Sequence, residues 1–181
     1  AINSLKDFLI TPNEHFLFIH GRGGIGKSHL LKKVLSENKA DFVYLKLISN
    51  YDVYSLADRL GLGYIYPEKD KNLSNQDFLK KIRERKEIII LDDFYELDYN
   101  NQLRITLLEL ANSTEGKFIL VSRTLDKHFS DSGRSVNEIT FDLLRQEDHK
   151  LFLESYCLNR YSVHIDEVVL QQIWRISQGY P

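Results

Sequence analysis

The chain has 181 residues, 43% apolar and 28% charged, so it can bury the core of one globular domain. Its formal net charge of −2 at pH 7 gives no overall electrostatic attraction to nucleic acid or to an anionic membrane. The single cysteine excludes an internal disulfide and predicts a reducing, cytoplasmic setting. No segment has the pattern of a signal peptide or the apolar length of a membrane-spanning helix, so no membrane partner is expected.

Strand and helix patterns alternate along the chain. Apolar residues at helical spacing predict a helix in INSLKDFL, and the run HFLFIH predicts the first strand. After a glycine cluster, the predicted elements are a helix in KSHLLKKVLSE, a strand in DFVYLKLI, helices in YDVYSLADRLG and NQDFLKKIRERK, a strand in EIIIL, a helix in NQLRITLLELAN, strands in KFILVS and VNEITF, and helices in QEDHKLFLESYCL and IDEVVLQQIWRIS. Apolar strands that alternate with helices are typical of a parallel sheet covered on both faces. The predicted fold class is therefore a three-layer α/β/α domain.

The glycine cluster lies between the first predicted strand and the helix that follows it. Gly21, Gly26, Lys27 and Ser28 match the phosphate-loop pattern GxxxxGK[ST]. Glycines let backbone N–H groups converge on phosphate oxygens, and the helix N-terminus adds its positive dipole. We expect Lys27 to contact the β- and γ-phosphates and Ser28 to offer its hydroxyl to Mg²⁺; the alternative is a glycine-rich turn with an incidental lysine. The predicted nucleotide-binding residues are Gly21, Arg22, Gly23, Gly24, Ile25, Gly26, Lys27, Ser28 and His29.

Acidic and basic residues follow two other predicted strands, and ligands of parallel sheets bind beyond the carboxyl ends of the strands. Asp92 ends EIIIL and is the predicted metal ligand, acting through water. Asp93 is predicted to orient and deprotonate the attacking water, unless the two acids merely open a loop. Ser122 and Arg123 follow KFILV, and Arg123 is predicted to contact the γ-phosphate, unless it is an ordinary surface arginine.

Other patterns are weaker. The sequence NKAD at 38–41 spells a guanine-recognition motif, but it precedes the second strand and so belongs at the opposite edge of the sheet. The basic run KKIRERK at 80–86 is more typical of a solvated helix face than of a nucleic-acid surface. The six histidines lack metal-ligand spacing. Nucleic acid is therefore not an expected partner of this chain.

The order of the motifs resembles the STAND class of signal-transduction ATPases, which includes NACHT and NB-ARC modules. GRGGIGKS is similar to their Walker A motif, IIILDDF to their Walker B motif with paired acids, and KFILVSRT to their sensor strand. LLRQEDHKLFLESY resembles the segment that leads into their helical lid. SQGYP resembles their GxP motif, which implies that Pro181 packs near the adenine.

The resemblance also implies an architecture and an activity. It implies a five-stranded, mostly parallel sheet in the order 5-1-4-3-2, with a P-loop core over residues 1–143 and the beginning of a helical lid over residues 144–181. The activity implied is ATP/ADP exchange with slow Mg²⁺-dependent hydrolysis and nucleotide-dependent oligomerisation. In prokaryotes such proteins often serve in antiviral defence or transcriptional control. The chain starts in a predicted helix and stops after one, which predicts a fragment whose base-contacting segment and trigger-sensing domain lie outside it.

Two other function classes stay open from the sequence. An AAA+-type remodelling or DNA-loading ATPase would need an arginine finger from a neighbouring subunit, for which Arg134 and Arg145 are candidates. A non-hydrolysing nucleotide-binding scaffold is favoured only if Asp93 is dispensable. An ABC ATPase is disfavoured because the sequence has no LSGGQ-like signature.

Overall fold

The computed structural model describes residues 2–61, 80–82, 84–97, 102–111, 116–125 and 137–180. The strands are β1 (Phe16–Gly21), β2 (Phe42–Lys46), β3 (Ile88–Asp92), β4 (Phe118–Val121) and β5 (Glu138–Phe141). The helices are α1 (Ile2–Ile10), α2 (Lys27–Glu37), α3 (Val53–Arg59), α4 (Gln102–Ala111), α5 (Gln146–Tyr161) and α6 (Glu167–Ser177), and a short 3₁₀ helix (Phe94–Glu96) follows β3. Strands and helices therefore alternate in the order that the hydrophobic pattern predicts.

The five described strands form one parallel sheet in the order β2-β3-β4-β1-β5. Read from the other side, this is the predicted order 5-1-4-3-2, so the predicted fold class and strand order are confirmed. Because parallel strands all point the same way, their carboxyl ends share one edge of the sheet. That edge receives the glycine cluster after β1, the two acids after β3 and Arg123 after β4.

Alternate residues of the central strands pack on opposite faces of the sheet. In β3, Ile88 and Ile90 join a core with apolar residues of α1 and α2, whereas Ile89 and Leu91 join a core with residues of α3 and α4. All residues of β3 are buried, which explains why this strand is a continuous apolar run in the sequence. The two cores make the domain a three-layer sandwich.

One predicted strand lies at the edge of the sheet, and one predicted helix lies mostly outside the described residues. The strand predicted in VNEITF is present as β5 at one edge of the sheet, and it buries only Ile139 fully. An edge strand with little buried surface carries a weak hydrophobic pattern. Most of the helix predicted in NQDFLKKIRERK lies outside the described residues, although residues 80–82 are helical.

The carboxyl end of α6 returns to the start of α5. The backbone N–H of Leu144 donates to the Gly179 carbonyl at 3.0 Å. The buried His149 ring donates from Nε2 to the Tyr180 carbonyl at 3.0 Å, and the Ser177 hydroxyl lies 3.1 Å from the same nitrogen. The segment between Leu144 and Tyr180 is thus closed on itself by its own polar groups.

A lysine at the start of β4 holds α1 against the sheet. The Lys117 ammonium donates to the Phe8, Thr11 and Glu14 carbonyls, at the carboxyl end of α1 and just beyond it. A cation here satisfies carbonyls that lack helical partners and complements the helix dipole. Burial lowers the pKa of Lys117 below its ordinary value, opposed by the Glu14 carboxylate.

Replacement of Lys117 by methionine is expected to destabilise the domain, because it removes the ammonium donor that the three carbonyls share. We expect a loss of about 1–3 kcal/mol in the free energy of unfolding, measured by urea titration. Lys6→Met, at an exposed position of α1, is the matched control and should cost less than about 0.5 kcal/mol. Equal losses in the two variants would contradict the anchoring role of Lys117.

Candidate functional site

The loop between β1 and α2 is open to a ligand. Gly24 and Gly26 have φ angles of 78° and 92°, in the left-handed region that glycine tolerates best. A Cβ added at either glycine would meet no protein atom within 4 Å, so the loop faces space rather than packed side chains. Gly26 is also the N-cap residue of α2, which directs the helix N-terminus at this space. The loop therefore has the form of an anion cradle.

The Lys27 ammonium is held inside the loop. Nζ donates to the Gly21 carbonyl at 2.6 Å and to the Arg22 carbonyl at 2.9 Å, and the residue is only 8% exposed. Burial lowers the pKa of Lys27 below its ordinary value, and the Asp92 and Asp93 carboxylates oppose this shift. The ammonium is thus placed at the floor of the cleft, within the electrostatic reach of both acids.

Asp92 joins the two sequence motifs directly. Its Oδ2 accepts hydrogen bonds from the Ser28 hydroxyl, 64 positions away in sequence, and from the Tyr44 hydroxyl. Its Oδ1 accepts from the Asp93 backbone N–H at 2.8 Å, and the residue is 4% exposed. Burial and the contact with Asp92 raise the pKa of Tyr44, so this phenol stays a neutral donor. A hydroxyl and a carboxylate are hard oxygen ligands of the kind that Mg²⁺ takes.

Asp93 has a different environment from its neighbour. Its backbone is left-handed (φ 58°, ψ 39°) and begins the 3₁₀ helix. Its carboxylate forms an ion pair with the Lys46 ammonium at 3.0 Å, and this hydrogen bond raises the pKa of Lys46. The strand register places Lys46 opposite Asp92, which explains how Lys46 reaches the next acid. The two acids therefore face different partners.

Arg123 follows β4 and lies against both the glycine loop and the 3₁₀ helix. Its guanidinium carbon is 4.1 Å from the centre of the Tyr95 ring, which is a cation–π contact. A Cβ added at Gly23 would lie 3.5 Å from Arg123 Nε, so the arginine extends over the loop. The position agrees with the expectation that residues after β4 reach the same edge as Asp92 and Asp93.

These groups line one cleft of about 370 Å³, a volume within the range of small-molecule sites. Positive and negative side chains both face it. Its lining residues are Gly23, Gly24, Gly26, Lys27, Ser28, His29, Lys46, Asp92, Asp93, Tyr95 and Arg123. Nine of these eleven residues, all except Lys46 and Tyr95, were predicted from the sequence to bind nucleotide or metal or to act in catalysis.

Among the described residues, three predicted site residues are not part of the cleft lining. Gly21 and Arg22 contribute through their carbonyls, which hold Lys27. Ile25 is 7% exposed, so its side chain is buried rather than turned to the cleft. Pro181, predicted beside the adenine, lies outside the described residues, and no contact of it is described.

Three residues near the cleft were not predicted from the sequence. Lys46 ends β2 at the carboxyl edge of the sheet. Ligands of parallel sheets bind beyond this edge, so the reasoning that predicted Arg123 could have predicted Lys46 as well. Tyr44 lies within β2, where its aromatic ring is typical of any strand. Tyr95 follows the paired acids and carries no motif. Only the packing of β2 beside β3 shows that Tyr44 and Lys46 contact Asp92 and Asp93. Only the packing of β4 beside β3 brings Tyr95 to Arg123.

The guanine-like motif and Arg145 are not part of the cleft lining. Asn38 is the C-cap residue of α2, and Asp41 precedes β2, so the guanine-like motif lies at the amino edge of the sheet as predicted. Arg145 is an exposed N-cap residue of α5, and Arg134 lies outside the described residues. Within the described ranges, no group of three or more His, Cys, Asp or Glu side chains has the geometry of a metal site. None of the helices in those ranges has the length and apolar character to cross a bilayer.

The NB-ARC domain family matches residues 1–163. The chain belongs to the NB-ARC family. The NB-ARC domain is also similar along its whole length to the crystal structure of a signal transduction ATPase with numerous domains (STAND) protein that has a tetratricopeptide repeat sensor, from Pyrococcus horikoshii. The TM-score is 0.68 at 21% identity, and this NB-ARC chain spans 28% of that chain's length. At this identity the likeness shows the fold alone. No curated protein matches the chain.

The family match confirms the resemblance to STAND-class P-loop NTPases that the motifs indicate. This NB-ARC domain is a nucleotide-binding STAND module. The match favours that class over the AAA+-type alternative.

Proposed function

We propose that this NB-ARC domain is an ATP/ADP-binding switch with slow Mg²⁺-dependent ATP hydrolysis, which controls the oligomerisation and effector activation of a longer signalling protein. The observation that carries the proposal is the cleft in which the glycine loop, the Ser28–Asp92 hydrogen bond and Arg123 meet. Each supplies a different part of phosphoryl-transfer chemistry: an anion cradle, a metal-ligand pair and a cation.

The donor set of the cleft fits a nucleotide with its metal. Gly24 and Gly26 leave room for phosphate oxygens where a Cβ would otherwise stand, and Lys27 supplies a fixed positive charge. Ser28 and Asp92 would hold Mg²⁺, the serine directly and the aspartate through water. Bound Mg²⁺ supplies neutralisation of the phosphate charge that develops during transfer. Because no group of three acidic or histidine side chains in the described ranges is arranged to hold a metal alone, phosphate oxygens would complete its ligands.

The surroundings of Asp93 support slow hydrolysis. Its carboxylate faces the cleft, where it would orient water and accept a proton. The Lys46 ammonium lies 3.0 Å from that carboxylate and holds it in an ion pair, so an attacking water would have to share the carboxylate with the lysine. A carboxylate engaged in this way suits a switch whose bound-ATP state has to last, whereas a motor needs rapid turnover.

The switch needs a contact that distinguishes ATP from ADP, and Arg123 is our candidate. Its guanidinium stands over the loop next to Gly23, and Arg123 lines the same cleft as Asp93. A bond made to the γ-phosphate and absent with ADP gives differential affinity, and only differential affinity shifts a conformational equilibrium. Residues 1–143 would form the core that reads the nucleotide, and residues 144–181 the beginning of the lid that responds, with Pro181 near the adenine.

Arg123→Ala tests the sensor role. We expect ATP affinity to fall about 10-fold to 100-fold with little change in ADP affinity, because the lost contact is a charge-assisted hydrogen bond to the γ-phosphate. The measurement is a pair of calorimetric titrations with a non-hydrolysable ATP analogue and with ADP, both in Mg²⁺. Arg175→Ala, at an exposed position on α6, is the matched control and should leave both affinities unchanged.

Two outcomes would contradict the proposed function. Equal losses of ATP and ADP affinity in Arg123→Ala would remove the γ-phosphate sensor. Steady turnover of about one ATP per second or faster by the unassembled domain would favour a motor over a switch.

A further inference from the structure

Tyr95 packs against the face of the Arg123 guanidinium. It is the middle residue of the 3₁₀ helix Phe94–Glu96, directly after the paired acids, and its ring is half-buried. The guanidinium carbon is 4.1 Å from the ring centre, close enough for the ring quadrupole to attract the charge. Both side chains line the cleft.

The fold creates this contact from residues that are far apart in sequence. β3 and β4 are neighbouring parallel strands, with Leu91 opposite Leu120, so the segments after them leave the sheet side by side. The left-handed backbone of Asp93 then turns the chain into the 3₁₀ helix that carries Tyr95. Arg123 consequently has the Tyr95 ring against its guanidinium. Its Nε, Cζ and Cδ atoms also lie close to Gly23, since a Cβ added at that glycine would be 3.5–4.0 Å from them.

We propose that Tyr95 is a positioning residue for Arg123: its ring fixes the guanidinium over the phosphate loop so that the N–H groups face the γ-phosphate. The proposal rests on the proposed function, in which Arg123 distinguishes ATP from ADP. An exposed arginine samples many rotamers, and fixing them on binding weakens affinity. A ring that orders the side chain beforehand removes part of this entropy loss, and it does so for ATP only, since ADP has no γ-phosphate to meet the arginine.

The ring face, not the hydroxyl, carries the interaction, which makes the test specific. Tyr95→Leu keeps an apolar side chain but removes the ring quadrupole, whereas Tyr95→Phe keeps the ring and removes only the hydroxyl. We expect Tyr95→Leu to weaken binding of a non-hydrolysable ATP analogue about threefold to tenfold with ADP affinity unchanged. Tyr95→Phe should resemble the parent for both nucleotides. If Tyr95→Leu does not fold, as judged by circular dichroism, Tyr95→Gln serves in its place.

A double variant shows whether Tyr95 acts through Arg123. In the Arg123→Ala background, adding Tyr95→Leu should cause no further loss of ATP affinity, because the group that the ring positions is already absent. An equal additional loss in this background would mean that Tyr95 acts independently of Arg123 and would overturn the proposal. Equal losses of ATP and ADP affinity in Tyr95→Leu would indicate a general packing role and would overturn it as well.

The experiments distinguish failure of the sensor role of Arg123 from failure of the positioning role of Tyr95. If Arg123→Ala weakens ATP selectively while Tyr95→Leu changes neither affinity, the sensor stands and the positioning role of Tyr95 is wrong. If Arg123→Ala weakens ATP and ADP equally, the sensor role fails and the positioning role fails with it.

Discussion

Lys27→Ala is expected to reduce ATP affinity by about 100-fold or more in calorimetric titration. The ammonium is the cation at the floor of the glycine loop, where the Gly21 and Arg22 carbonyls hold it at 2.6 and 2.9 Å. It is held in place before the ligand arrives, so its contact with phosphate requires little ordering. Loss of a charge-assisted contact in a partly desolvated cleft costs about 3 kcal/mol, which corresponds to a factor of about 100.

The control for Lys27→Ala is a lysine on the same helix that faces away from the cleft. Lys33 is exposed and pairs with Glu37 at 3.9 Å, and Lys33→Ala should leave ATP affinity unchanged. Circular dichroism of both variants separates loss of binding from loss of folding. Equal ATP affinity in Lys27→Ala and the parent would refute nucleotide binding through this loop.

Asp92→Asn and Asp93→Asn are expected to have different effects. Asp92 accepts the Ser28 hydroxyl, so its replacement removes the negative charge beside the proposed metal and should abolish the Mg²⁺ dependence of nucleotide binding. Asp93 is paired with Lys46 instead, so Asp93→Asn should keep Mg·ATP affinity within about threefold of the parent. Its turnover should fall about 100-fold or more, because an amide cannot accept the proton of the attacking water.

The measurements for the two aspartates are ATP titrations with and without Mg²⁺, together with single-turnover hydrolysis. Asp58→Asn, at an exposed position on α3, is the matched control for the loss of one carboxylate charge. Identical phenotypes of Asp92→Asn and Asp93→Asn would refute the division of roles. Unchanged hydrolysis in Asp93→Asn would refute the role of Asp93 in activating water, whereas no single-turnover hydrolysis in the parent would favour the non-hydrolysing scaffold.

The fold could be predicted from the sequence because its strongest signals are local. The buried strand of Ile88–Asp92 is apolar up to Leu91, and the pattern of Lys27–Glu37 gives both ends of α2. The strand order was available only through the resemblance to STAND ATPases, since no local pattern specifies which strands are neighbours. The edge strand β5 shows the limit of local signals, because its single fully buried residue leaves little periodicity.

Residues of the candidate site were predictable where they sit in a motif or at the end of a recognisable strand. Gly26, Lys27 and Ser28 belong to the first kind, and Asp92 and Arg123 to the second. Tyr44 and Tyr95 belong to neither, since their roles arise from contacts with residues 48 and 28 positions away, Tyr44 with Asp92 and Tyr95 with Arg123. Such contacts depend on which strands are adjacent, and that information is not present in any short segment.

The closed segment formed by α5 and α6 is joined at its end to the chain that leaves the sheet. Leu144, which follows β5, is bonded to Gly179, and His149 is bonded to Tyr180, so two hydrogen bonds hold the residues after α6 against the chain that leaves β5. β5 is paired along its length with β1, in a register that sets Phe141 beside Gly21, the residue at which the glycine loop begins. Two hydrogen bonds and one strand pair therefore form a continuous connection between the residues that follow α6 and the first residue of the glycine loop.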